Sequence, residues 1–78
     1  MRIAVLGAAH AHDPLPEADE IVVIDPDAHA LVRLLREVGD PRFSYLLGEL
    51  PVLPLPDAWV DAIVGADGED PELRRISR

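Results

Sequence analysis

Residues 20–27 of the chain, EIVVIDPD, decide the class of fold. The four β-branched residues in succession are typical of a strand that is buried on both faces, as the strands of parallel sheets are. The residues that follow favour the start of a helix, because Asp25 or Asp27 suits the cap and Pro26 suits a first helical position. The stretch therefore predicts a buried strand that leads directly into a helix.

The helix that follows this strand is marked by its periodicity. Apolar residues recur at helical spacing between residues 28 and 38, and arginines fall on the other side. Gly39 comes next and is a residue type that commonly ends helices. Because the apolar run Phe43–Leu47 lies just beyond, the sequence predicts a β-α-β unit, whose crossover should be right-handed.

Two further apolar runs predict two more strands. One is Arg2–Leu6, near the start of the chain, and the other is residues 60–64, which precede a Gly- and Asp-rich stretch. We predict that this stretch, residues 65–69, is a loop. The chain therefore carries four candidate strands.

The remaining connections leave little room for helices. Prolines in the segment between the first two predicted strands leave room for at most one helical turn, near residues 8–12. Three further prolines make residues 49–59 a rigid, mostly extended loop. Asp70 and Pro71 suit the cap and first residue of a short final helix that ends near Ser77.

Composition excludes several classes of protein. The 78 residues carry a net charge of −8, and such an acidic surface repels the phosphate backbone of nucleic acids. The chain has no cysteine, hence no disulfide framework and no cysteine-based zinc site. No stretch approaches the roughly 20 apolar residues of a membrane span. We expect one soluble, cytoplasmic domain that binds neither nucleic acid nor membrane.

The segments beside the four predicted strands form a recurring pattern. A turn that begins with glycine follows the first strand (residues 7–11, GAAHA), and VIDPD closes the second (residues 23–27). GELPVLP follows the third strand, and LPLPDAWVDAIV, residues 53–64, leads into and includes the fourth. In this order the segments resemble the signature of class I (Rossmann-like) S-adenosylmethionine-dependent methyltransferases of the type 11 kind, in truncated form.

The resemblance implies a fold and an extent. Residues 1–78 would form a single methyltransferase-like domain that lacks the C-terminal strands of the family. The fold class is α/β, a minimal Rossmann-like domain whose four-stranded parallel sheet has the order 3-2-1-4. One full helix and a short C-terminal helix would accompany the sheet.

The resemblance also implies that S-adenosylmethionine is the cofactor and binds at the carboxyl ends of the strands. By this likeness Asp25 accepts hydrogen bonds from the ribose, Glu49 and the amide of Leu50 bind the adenine edge, and Gly7 and Ala8 face the methionine part. The implied cofactor-binding residues are Gly7, Ala8, Ala9, His10, Asp25, Pro26, Gly48, Glu49 and Leu50.

Several of these residues have a second interpretation. Asp25 could serve only as a helix cap, and Glu49 could be an ordinary exposed loop carboxylate. The histidines at positions 10, 12 and 29 suggest a metal site or a general base, but surface histidines beside a shortened turn explain the pattern better. We assign no metal ligand and no catalytic residue.

The chain departs from the family pattern in ways that bear on function. Alanines replace the second and third glycines of the first turn, and His10 adds bulk there. By this resemblance, the segments that supply most of the family's acceptor site would be missing. The first hypothesis is therefore a methyltransferase-like domain, catalytically degenerate, that binds S-adenosylmethionine weakly or not at all and acts as a dimer or in a larger complex. The second is a true small methyltransferase whose acceptor site forms between subunits. The alternative is a non-enzymatic structural or regulatory interaction module that kept the fold and lost the ligand.

Assembly is the last expectation from the sequence. Strands that need cover on both faces receive only one full helix and one short one. Exposed apolar faces and sheet edges favour association. We therefore predict a homodimer or a larger protein complex.

Overall fold

The computed structural model describes residues 1–66 and 70–78 of the chain. The part of the predicted 65–69 loop that falls on residues 67–69 lies outside this description. In chain order the elements are β1 (Arg2–Leu6), a 3-10 helix (Ala8–His12), β2 (Glu20–Asp25), α1 (Ala28–Val38), β3 (Phe43–Leu47), β4 (Ala62–Val64) and α2 (Pro71–Ile76).

The four strands form one parallel sheet in the order β3-β2-β1-β4. Val5 of β1 lies level with Val23 of β2 and Val64 of β4, and Val23 lies level with Tyr45 of β3. This arrangement confirms the predicted fold class and strand order. Because all strands run the same way, their carboxyl ends meet at one edge of the sheet.

The fourth strand is shorter than the predicted run of residues 60–64. Val60 forms an isolated parallel bridge with Ser77, and its amide donates to the carbonyl of Ile76 at 2.9 Å. The strand starts at Ala62, because the backbone at Val60 is already hydrogen-bonded to the C-terminal end of α2. The apolar side chain of Val60 is buried in the cluster that covers one face of the sheet.

Both helices begin at aspartate caps. The carboxylate of Asp27 accepts a hydrogen bond from the amide of His29 at 2.9 Å, and that of Asp70 accepts one from Glu72, also at 2.9 Å. The predicted start and extent of α2 are therefore confirmed. The prediction that Pro26 occupies a first helical position is wrong, because Pro26 precedes the Asp27 cap and α1 starts at Ala28.

One face of the sheet is covered by helical elements. Leu31 and Leu34 of α1, with Ala8 and Ala11 of the 3-10 helix, pack on this face. The strand side chains beneath them are Ile3, Val5, Ile21 and Val23, each at most 1% exposed. The single turn that the sequence allows after β1 therefore contributes directly to the core.

The other face is covered by α2 and by residues 49–59, which we call the proline-rich segment. Leu53 and Leu55 of the segment join Leu73 and Ile76 of α2 in one buried cluster. This cluster packs on the sheet residues Ala4, Val22 and Ile24. The second face is thus covered even though only a six-residue helix lies there.

Arg75 of α2 holds the proline-rich segment in place. Its guanidinium binds the carboxylates of Glu72 and Asp57 and donates to the carbonyls of Leu53 and Leu55 at 3.0 and 2.7 Å. The carboxylate of Glu72 also accepts from the amide of Leu53 at 2.5 Å. The hydrogen bonds from Arg75 and Leu53 lower the pKa of Glu72 from 4.5 to about 2.

The described helices are short. Within residues 1–66 and 70–78 none has the length and apolar character that a membrane crossing requires.

Candidate ligand-binding site

A cleft of about 290 Å³ lies at the edge where the carboxyl ends of the strands meet. Every strand contributes to its walls, either by its last residues or by the turn that follows. The lining residues are Leu6, Gly7, Ile24, Pro26, Gly48, Glu49, Leu50, Leu53, Gly65 and Ala66. Ligands of open α/β sheets bind in this position.

The predicted site residues divide into two groups. Gly7, Pro26, Gly48, Glu49 and Leu50 line the cleft. The other predicted residues, Ala8, Ala9, His10 and Asp25, are not part of its lining.

Asp25 uses its carboxylate within the fold. Oδ2 accepts a hydrogen bond from the amide of Ala8, and Oδ1 accepts one from the amide of Asp27, both at 2.8 Å. Asp25 therefore does not cap α1, a role that Asp27 fills. It connects the end of β2 to the turn after β1, and each oxygen keeps further acceptor capacity.

The wall after β3 is fixed by backbone contacts. The amide of Gly48 donates to the carbonyl of Asp25 at 3.3 Å, and Glu49 pairs with Val52 in an antiparallel bridge. A Cβ at Gly48 would lie 2.7 Å from Cδ of Pro54. Only glycine therefore lets the proline-rich segment come this close, and the side chain of Glu49 remains exposed at the cleft.

Two glycines with positive φ angles flank the junction of β1 and β4. Gly7 follows β1 and has a φ of 102°, and Gly65 follows β4 and has a φ of 89°. A Cβ at Gly65 would collide with the carbonyl oxygen of Leu6. The sequence interpretation included Gly7 but missed Gly65, whose signal is its position immediately after the fourth apolar run.

The imidazole of His10 lies across these two glycines. Its Cδ2 is 3.3 Å from where a Cβ of Gly7 would stand and 2.8 Å from that of Gly65. Nδ1 lies 2.9 Å from Oδ2 of Asp13, which fixes the orientation of the ring. The ring therefore packs beside both glycines, but it is not part of the lining of the cleft. Ala8, by contrast, is buried under α1, and Ala9 is exposed.

The histidines do not converge. Nε2 of His12 lies 3.5 Å from the carboxylate of Glu37 on α1, whereas His10 faces Asp13. In the described part of the chain, no three or more His, Asp or Glu side chains are grouped so as to hold a metal ion.

A second concavity, of about 160 Å³, lies at the opposite edge of the sheet. Its charged groups are largely paired with one another, as Met1 with Asp19 at 2.6 Å and Arg2 with Glu20 at 3.0 Å. It lies at the amino ends of the strands, away from the edge where α/β sheets bind ligands. The cleft at the carboxyl edge is therefore the candidate site.

The lining of the cleft combines apolar surface with one carboxylate. Pro26 and Leu50 present apolar surface to the cleft, and Glu49 supplies a carboxylate acceptor. Gly7 and Gly65 line the end of the cleft beside β1 and β4.

Comparison of the chain with protein-family models, curated proteins and solved structures gives no significant match. The functional conclusion therefore rests on the fold and on the geometry of the cleft.

Proposed function

We propose that this domain is methyltransferase-like in its binding site and takes up an adenosine-containing ligand in the cleft at the carboxyl edge. One observation carries the proposal, namely that all four strands line this one cleft. The chain proceeds from β1 to β2 to β3 on one side and then returns to place β4 on the other side of β1. A reversal of this kind opens a crevice beside the first strand, and open α/β sheets use that crevice for nucleotides.

The walls of the cleft support a purine as the recognised group. The exposed apolar side chains of Pro26 and Leu50 provide surfaces for the ring. The carboxylate of Glu49 can accept a hydrogen bond from an exocyclic amino group, and it is exposed and free to turn toward the cleft. A ring with an amino group, such as adenine, therefore suits this site better than one with only carbonyl oxygens.

The proposal is one of binding. Methyl transfer would further require an acceptor that is held in line with the reacting group. Asp25 contributes by holding the turn between β1 and the 3-10 helix through the amide of Ala8.

Isothermal titration calorimetry with adenosine, S-adenosylhomocysteine and S-adenosylmethionine tests the proposal. We expect saturable binding of adenosine, weakened about tenfold by Glu49→Gln, since the uncharged amide oxygen accepts a weaker hydrogen bond than the carboxylate does. Glu17→Gln is the matched control, because it removes the same charge from an exposed site outside the cleft. Absence of heat with all three ligands at millimolar concentration would contradict the proposal.

A different surface favours a second candidate function, that of an interaction module which forms a homodimer. Val32 and Leu35 of α1 are 47% and 55% exposed, and Leu47 of the edge strand β3 is 59% exposed. These residues line one apolar concavity. We name this surface, Val32, Leu35 and Leu47, the α1/β3 strip.

The α1/β3 strip suits a second copy of the same chain. Antiparallel pairing of two β3 strands about Tyr45 would set Phe43 of one copy opposite Leu47 of the other. Both residues lie on the face of the sheet that α1 covers, so the two α1 helices would lie on the same side. Such a two-fold contact is self-complementary and extends the sheet to eight strands.

A further inference from the structure

The cleft at the carboxyl edge has one ionisable side chain among the described residues that line it, the carboxylate of Glu49. The chain contains no lysine, and its seven arginines all belong to the described part of the chain. None of these arginines, and none of the three histidines, lines the cleft. A negatively charged ligand would therefore meet a carboxylate there and no cationic side chain.

The arginines are held at other places in the fold. Arg2 and Arg78 lie at the amino edge of the sheet, where they pair with carboxylates at 3.0 and 3.4 Å. Arg75 binds two carboxylates beside the proline-rich segment. Arg33 and Arg36 line a separate concavity on α1. These positions leave the phosphate of a nucleotide without a positively charged partner in the cleft.

The backbone of the turn after β1 does not replace the missing cations. In α/β sheets this turn and the helix that follows it bind phosphate through their amide groups. Here the amide of Gly7 donates to the carbonyl of Ile24 at 2.8 Å. The amide of Ala8 donates to Oδ2 of Asp25, also at 2.8 Å. The position beside Ala8 where a phosphate oxygen could bind is therefore already taken by an anion of the chain itself.

The start of α1 is closed to anions in the same way. The carboxylate of Asp27 accepts from the amide of His29 at 2.9 Å, and that of Asp25 accepts from the amide of Asp27 at 2.8 Å. Asp25 is the last residue of β2, and Asp27 caps the helix that follows. With Glu49, these two residues place three carboxylates at the carboxyl edge of a chain whose net charge is −8.

We infer that the cleft selects its ligand by charge, so that it admits an uncharged or positively charged nucleoside and excludes phosphorylated nucleotides. This inference rests on the function proposed above, the binding of an adenosine-containing ligand. A phosphate monoester carries about −1.5 to −2 charges at pH 7, and the carboxylates at this edge repel it. The same carboxylates attract a positive charge on the sugar of the ligand.

Three ligands with one adenosine skeleton test this preference by calorimetry. They are the analogue whose primary hydroxyl is replaced by a positively charged amino group, adenosine itself, and adenosine monophosphate with its phosphate on that hydroxyl. We expect the affinity to fall in this order, with the monophosphate about tenfold weaker than adenosine at low salt. The difference should narrow as sodium chloride is added, because salt screens charge interactions.

Two results of this comparison would overturn the inference. One is a monophosphate that binds as tightly as adenosine at low salt. The other is an amino analogue that is excluded together with the monophosphate, because the cleft would then reject any enlarged group at this position whatever its charge.

A pair of variants separates the local charge from the net charge of the chain. Glu49→Gln removes the charge that lines the cleft, and Glu17→Gln, the matched control, removes an equal charge from an exposed site outside it. The measure is the ratio of the affinities for adenosine and for the monophosphate, because both ligands lose the same hydrogen bond in Glu49→Gln. We expect this ratio to fall about threefold in Glu49→Gln and to stay unchanged in Glu17→Gln.

The outcomes separate the charge preference from the proposed function. If adenosine binds but the ratio is the same in the wild type and in Glu49→Gln, the selection by charge is wrong and the nucleoside site stands. If none of the three ligands binds at millimolar concentration, both proposals are wrong. Glu49 and Glu17 are exposed, so both variants should keep the fold.

Discussion

Oδ2 of Asp25 accepts a hydrogen bond from the amide of Ala8 at 2.8 Å, so the last residue of β2 is bonded to the turn that follows β1. The same carboxylate accepts from the amide of Asp27 through its other oxygen. One side chain thus joins the two strands at the centre of the sheet just below the cleft. A change at Asp25 should therefore affect the stability of the domain before any question of ligand contact arises.

The first prediction concerns Asp25→Ala. Loss of the acceptor leaves the partly buried amide of Ala8 without its partner, and an unpaired group of this kind costs about 1–3 kcal/mol. We expect the free energy of unfolding, measured by urea denaturation, to fall by this amount. Asp25→Asn should lose less, because one amide oxygen can still accept. Glu17→Gln serves as the surface control, and an unchanged midpoint in Asp25→Ala would contradict the prediction.

The second prediction concerns acid stability. The pKa of Glu72 is about 2 in the folded chain, against an ordinary value of 4.5, because Arg75 and the amide of Leu53 stabilise the carboxylate. A carboxyl whose pKa is lowered by folding contributes stability above its unfolded pKa, and this contribution is lost as the pH falls through the folded pKa. We expect the urea midpoint to decline between about pH 4.5 and pH 2.

The variant Glu72→Gln should make that decline shallower and should lower the midpoint at pH 7. Asp40 has a pKa that is lowered by Arg42 and contributes in the same direction, so the decline should not vanish. Equal slopes for Glu72→Gln and the wild type over this pH range would show that the Arg75 contacts do not stabilise the fold.

The third prediction separates backbone strain from steric collision at Gly65. Gly65→Ala combines an unfavourable φ of 89° with a Cβ that meets the carbonyl of Leu6. Gly39→Ala is the matched control, because its φ is 59° and nothing lies within 4 Å of the added Cβ. We expect about 1–2 kcal/mol of destabilisation at Gly39 and a further 1–3 kcal/mol at Gly65. If chemical denaturation gives similar losses of stability for the two variants, the junction of β1 and β4 accommodates the added methyl group without cost, which would contradict the prediction.

The fourth prediction tests the homodimer. Leu35→Glu places a charge in the α1/β3 strip and should convert a dimer into a monomer in sedimentation velocity experiments at micromolar concentration. Val52→Glu is the control, since Val52 is 74% exposed on the proline-rich segment and lies outside the α1/β3 strip. Because each copy has a net charge of −8, association should strengthen as salt is added. A wild-type chain that sediments as a monomer at every salt concentration would exclude this assembly.

The elements that local patterns control were predicted closely from the sequence. The bounds of β1 and β3 coincide with the predicted runs Arg2–Leu6 and Phe43–Leu47. The buried residues Ile3, Ala4 and Val5 of β1 follow from its place inside a parallel sheet, where both faces are covered. The caps Asp27 and Asp70 act within two residues of their own positions. Such short-range hydrogen bonds can be inferred from neighbouring residues alone.

Features that depend on distant contacts were not predictable in this way. The start of β4 was placed too early, because nothing near Val60 reveals that its backbone pairs with Ser77. The imidazole of His10 could not be placed over Gly65, which follows 55 positions later in the chain. For Asp25, the sequence offered ribose binding or helix capping, whereas the contact with Ala8 arises only once β1 and β2 are paired.

The proline-rich cover of the second sheet face affects the unfolded chain as well as the folded one. Pro51, Pro54 and Pro56 have restricted φ angles in both states, so the segment samples fewer conformations before it folds. Ordering Leu53 and Leu55 against the sheet therefore costs less conformational entropy than ordering a loop without prolines would. In a chain of 78 residues, whose size limits the apolar surface it can bury, this reduced cost lets a segment with little regular structure serve as a layer of the fold.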